Sequence, residues 1–171
     1  MIADVITILK TNGVVFEKGL DDNEIGKVEK VYEIKLPLVW KEFFKTALPV
    51  SRGFYNLRDF SCENVELIKS VMKRPFDDFK EKLESEKLPK QLYKEFEKAP
   101  KLFPIFLHRF VPCGDFDDPP VFSIMQTDII VYGKDLYEWA QNEYRPKNTM
   151  FSVKEIKTKV PFWISVLDYS D

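Results

Sequence analysis

One histidine and two cysteines stand among the 171 residues, and that scarcity excludes a good deal of chemistry. His108 has no second histidine to share a metal with, and neither CxxC nor HxxxH spacing occurs, so no zinc site of the usual kind is legible. Cys62 and Cys113 lie far apart in the chain and do not form the dense disulfide framework of a small secreted domain. They are expected to be free thiols in a reducing cytoplasm. Also missing are GxSxG, GxxxxGK[ST] and GxGxxG, the short motifs of hydrolases, phosphate-binding loops and dinucleotide sites.

Charge of one sign is missing too. Lys and Arg number 26 against 28 Asp and Glu, a net charge of −2. Binding to nucleic acid or to an anionic membrane needs a basic excess on one face; this balance suits a basic protein partner better. No apolar run approaches the ~20 residues that span a bilayer. The opening stretch, MIADVITILKTNG, lacks a basic leader and carries Asp4 inside its apolar part. It is expected to be an amphipathic helix and not a signal peptide.

What is present is core material. Hydrophobic residues make up 44% of the chain and aromatics 15%, with 15 Phe, 7 Tyr and 3 Trp. That is enough for one packed domain of ordinary size, and far from the composition of a disordered chain.

Periodicity organises the first hundred residues into helices. Ile2, Val5, Ile6 and Leu9 recur at helical spacing up to Asn12-Gly13, and Val14 to Phe16 can form a short strand. Asp21 stands three residues before Glu24, the pattern of a capping box, ahead of Ile25, Val28 and Tyr32 on one helix face. Pro37 opens a helix whose Trp40, Phe43, Phe44 and Ala47 form a core-facing stripe. Residues 48–60 read as a loop or irregular hairpin. Residues 62–98 read as three helical pieces, the first ended by Pro75 and the third opened by Pro89.

From Leu102 the pattern turns to strands: KLFPIFLHRFVP as one run, then PPVFSIMQTDIIVYG. Apolar residues on both faces suggest strands covered by helices on both sides. Asp115 to Pro120 reads as a loop and Gln126 to Asp128 as a tight turn. Helical spacing returns at Leu136, Tyr137 and Ala140, and Val160 to Leu167 reads as a closing helix.

Few residues invite a functional role. A histidine in an apolar strand is ordinarily a hydrogen-bonded structural residue. Asp115, Asp117 and Asp118 fail the calcium-loop pattern, because Pro119 and Pro120 follow where glycine and further ligands belong. They remain candidates for contact with a partner, since exposed loops on rigid scaffolds often carry binding. Arg52 and Tyr55, near Phe54 and Arg58, are candidates of the same kind.

Two segments together are similar to a known family. GLDDNEIGKVEKVYEIKLPLVWKEFF at 19–44 joins an acid-capped helix to an aromatic-rich one. PIFLHRFVP at 104–112 and PPVFSIMQTDIIVYG at 119–133 follow in order. This pairing resembles the SUKH superfamily, named in part for fungal cell-wall regulators of the Smi/Knr type. The resemblance runs from about Gly19 to Glu143. It implies an α+β fold, a mixed and mainly antiparallel sheet flanked by helices. The whole of 1–171 would form one SUKH-like domain with 62–98 as a helical insert. It further implies a cytoplasmic immunity protein, not an enzyme, without cofactor or metal. Such a protein binds and neutralises a cognate toxin, a nuclease first of all, of a contact-dependent or polymorphic toxin system. The alternative is a non-catalytic regulatory scaffold of the same fold. His108, Arg109, Asp128 and Tyr132 occupy the recurrent polar positions, as pocket or scaffold residues.

Overall fold

The computed structural model describes residues 1–86, 88–144, 156 and 158–169. The first half is helical: α1 (Ile2–Thr11), α2 (Asp22–Tyr32) and α3 (Leu38–Thr46), with β1 (Phe16–Lys18) and β2 (Ala47–Pro49) paired antiparallel between them. Then come α4 (Cys62–Ser85) and α5 (Lys90–Phe96). A four-stranded meander follows, β3 (Leu102–Phe106), β4 (Arg109–Pro112), β5 (Val121–Met125) and β6 (Asp128–Gly133), paired in sequence order. The helix α6 (Leu136–Tyr144) and a closing 3₁₀ helix, Ser165–Tyr169, complete the described chain. The α+β expectation therefore holds, and every strand pairing among the described residues is antiparallel.

Register explains why the sheet is apolar on both sides. Phe103 and Val111 lie opposite one another and, with Val121, join the core formed with α1, α2, α3 and α6. Here Trp40 stacks at 5.4 Å from Trp139 and 5.8 Å from Phe43. The alternate row, Phe110, Phe122 and Val131, faces a second core with Phe79, Leu92, Phe162 and Trp163. Each large side chain buried this way contributes roughly 1.5–3 kcal/mol. α4 serves both cores, giving Ile68 and Met72 to the first and Val71, Phe79 and Leu83 to the second.

Four expectations are corrected. Pro75 does not end a helix: α4 runs through it for 24 residues, with the ring buried. A proline inside a helix removes one hydrogen bond, and the apolar face that α4 lays across two cores outweighs that loss. The run at 102–112 is two strands, not one, because the chain reverses at Leu107-His108, with Leu107 left-handed at φ 47°. His108 therefore sits in a turn. The closing segment is a series of turns and a 3₁₀ helix, not a helix from Val160, and Ala47, Leu48 and Pro49 form β2, so Ala47 is not part of the α3 stripe.

Local chemistry agrees elsewhere. Asp21 accepts from the Glu24 backbone N–H at 2.8 Å, and the Glu24 carboxylate accepts from the Asp21 N–H at 2.9 Å, completing the capping box. Among the described residues no helix is long and apolar enough to cross a membrane.

Candidate functional site

The turns at Leu107-His108 and Gln126-Thr127 fall at the same end of the meander, and the β4–β5 loop at the other. The residues singled out in the sequence divide between these two ends.

At the hairpin end the loop around Arg52 is sewn to the first turn. The Leu107 N–H donates to the Gly53 carbonyl at 2.8 Å, and the Tyr55 hydroxyl donates to the Leu107 carbonyl at 2.7 Å. Phe54 bridges to Phe106, their rings 4.7 Å apart. Gly53 has φ +101°, and a Cβ there would stand 2.6 Å from the Phe106 ring, so only glycine allows this approach. The second turn is tied on through Ile124, whose N–H donates to the His108 carbonyl at 3.1 Å. Arg52 itself is exposed, and so is Asp128, opposite Met125. Burial, and then the neighbouring Arg109, hold the His108 imidazole below its ordinary pKa.

Arg109 stands in the same row as Ser123 and Ile130. It is 8% exposed. Its Nε donates to the Glu143 carboxylate at 3.0 Å and its Nη1 to the Ser123 hydroxyl at 2.9 Å. Its guanidinium lies 3.6 Å from the centre of the Tyr132 ring. Burial pushes the Glu143 carboxyl up, against the pull of Arg109. Tyr132 in turn donates its hydroxyl to the Asn142 carbonyl at 3.3 Å, and Asn142 Nδ2 donates to the Tyr132 carbonyl at 2.8 Å. Arg109 and Tyr132 thus bind α6 to the sheet.

What this end does offer is apolar. Leu107, Met125 and Ile130 are 51%, 61% and 44% exposed. Leu107 adjoins His108 in a turn tied to Gly53 and Tyr55, and Met125 pairs with Asp128. Ser123 and Glu143 completed the Arg109 cluster without being foreseen. Glu143 lies 34 residues from Arg109, and only the register of the strands connects them.

At the other end, the acidic loop caps two helices. The Leu38 and Val39 N–H groups donate to the Phe116 and Asp117 carbonyls, both at 3.0 Å. The Leu136 N–H donates to Asp118 Oδ1 at 3.0 Å, so Asp118 is turned inward onto the start of α6. Burial pushes its carboxyl up to about 6, helped by Asp135 and opposed by the Leu136 N–H. Asp115 pairs with Lys35 and remains exposed, as does Asp117. Among the described residues no group of three or more metal-binding side chains occurs.

Arg58 is an anchor: it donates to Glu24 at 2.7 Å, to Glu17 at 3.2 Å and to the Lys18 and Gly19 carbonyls at 3.0 and 3.2 Å. A Cys113–His108 dyad is ruled out by geometry, because the two residues flank β4 at opposite ends, about 16 Å of extended chain apart. Cys113 is buried, which pushes its thiol pKa up; Cys62 is exposed.

No protein-family profile, no curated protein and no solved structure matches this chain.

Proposed function

We propose that this protein is a SUKH-type immunity protein that binds and neutralises a cognate toxin, a nuclease being the best-suited class, with the hairpin end of the sheet as its grip. The observation that carries this reading is the exposure of Leu107, Met125 and Ile130 at the hairpin end, with His108 and Asp128 beside them and the Leu107 turn tied to Gly53 and Tyr55. Apolar side chains at the centre with charge and polarity around them are the usual anatomy of an interface. A backbone fixed before contact spares the ordering cost of binding. The exposed carboxylates of Asp115 and Asp117 supply steering toward a basic toxin, in a chain whose net charge is −2. Inhibition of this kind requires no turnover and no cofactor.

The test is co-expression with a candidate toxin encoded by a neighbouring gene. Wild-type protein is expected to form a complex and restore growth. Leu107→Glu with Met125→Glu is expected to lose both while melting at the wild-type temperature. Asp115→Asn with Asp117→Asn is expected to slow association at low salt and leave dissociation unchanged. A protein that neither binds nor rescues sinks the immunity reading. Stable binding through the same surface to a non-toxin partner would favour the regulatory scaffold.

A further inference from the structure

Where β3 begins, the seam between the two cores is open. A groove of about 400 Å³ lies there, walled by Tyr32, Met72, Phe76 and Leu102 and rimmed by Lys69, Lys73, Lys101 and Glu33. Its size falls in the range of small-molecule sites. Its walls come from both cores, Tyr32 and Met72 from one and Phe76 and Leu102 from the other. Three cationic groups face one carboxylate, a local excess opposite in sign to the whole chain.

Two of the three lysines are paired with carboxylates and one is not. Lys101 donates to the Glu33 carbonyl at 3.1 Å and carboxylate at 3.2 Å, so that pair closes one side. Lys73 pairs with Asp77 on the same helix, outside the groove. Lys69 has no ion-pair partner among the described residues. Lys69 and Lys73 are one helical turn apart, a spacing at which like charges repel. Met72 can follow an irregular apolar shape because its side chain is unbranched and flexible.

We infer that this groove binds a small amphipathic anion, an alkyl or aryl carboxylate whose apolar body lies on Tyr32, Met72, Phe76 and Leu102 and whose head meets Lys69 and Lys73. The groove is distinct from the hairpin end, and its occupancy can be read without the toxin.

The probe is decanoate, titrated below its micellar concentration into the ¹⁵N-labelled protein, with 1-decanol as the uncharged control. Decanoate is expected to move the amide signals of Lys69, Met72, Lys73 and Leu102. Decanol is expected to bind about 5- to 10-fold more weakly, the worth of one or two exposed ion pairs. Lys69→Gln with Lys73→Gln should weaken decanoate by a similar factor and leave decanol unchanged; both side chains are exposed, so the variant should melt as wild type does. Co-sedimentation with phosphatidylglycerol vesicles separates a free carboxylate from a bilayer, and no sedimentation is expected. Absent shifts in the groove, equal binding of decanol, or an indifferent lysine variant would each overturn the assignment. So would vesicle binding that depends on the two lysines without any response to decanoate.

Discussion

Single residues in this chain are constrained by what touches them far away in sequence. Arg109 is the clearest case, with Glu143 and Ser123 accepting from it and the Tyr132 ring against its face. Removing one partner of a buried ion pair leaves the other charge stranded, so Arg109→Leu is expected to cost about 3–5 kcal/mol in urea unfolding. Joint replacement of Arg109 and Glu143 by Leu should cost less than Arg109→Leu alone. Additive losses in that double-mutant cycle would mean the pair is not coupled. Gly19 is held by a different limit, since a Cβ there would stand 1.9 Å from the Lys45 carbonyl oxygen. Gly19→Ala must push α3 away and is expected to cost about 1–3 kcal/mol, seen as a lower midpoint. Neither constraint is legible locally: the sequence marks Arg109 as a polar residue in an apolar run, but its partner lies on a helix 34 residues on.

At the scale of elements, features decided within a few residues were readable and those decided by packing were not. The Asp21–Glu24 capping box and the Trp40, Phe43, Phe44 stripe follow from spacing alone. Gln126-Thr127 announced its turn with polar residues. Leu107-His108 carries no Gly, Asn or Pro, so the chain reversal there was hidden. Pro75 gave a stop signal that burial of α4 on both sides of the sheet overrode. α6 shows how a loop and a helix depend on each other. Asp118 accepts from Leu136 N–H, and Asp135 accepts from Glu138 N–H at 2.8 Å, placing two carboxylates at one helix start. Because the Asp118 carboxyl is raised from 3.8 to about 6 in the folded chain, folding favours its protonated form. That contribution is fully present below pH 4 and is lost as pH rises through about 6. Asp118→Asn keeps the accepting oxygen and cannot ionise. Its melting temperature should match wild type near pH 4 and exceed it increasingly toward pH 7. A constant offset across that range would contradict the assignment.

For the molecule as a whole, the decisive fact is that one sheet is the wall of two cores. Phe110 and Val111 are neighbours in β4 yet belong to different cores, so neither core can open without exposing the other's wall. A single unfolding transition is expected. Trp163→Phe leaves fluorescence to Trp40 and Trp139 in the first core, and its urea midpoint by fluorescence should coincide with that by far-ultraviolet circular dichroism, which reports both halves. Two separated midpoints would show the cores to be independent. The two-sided burial of the strands was legible in their unbroken apolar runs; which helices cover which side was not, because α4 serves both. The position of that sheet also sets a timetable for synthesis. Its strands occupy residues 102–133, so during translation Trp40, Phe43, Phe44 and Phe79 emerge well before the surface that shields them. Until β6 has left the ribosome, the apolar faces of those helices lack the sheet they pack against. Such a chain depends on whatever holds it unaggregated in the interval.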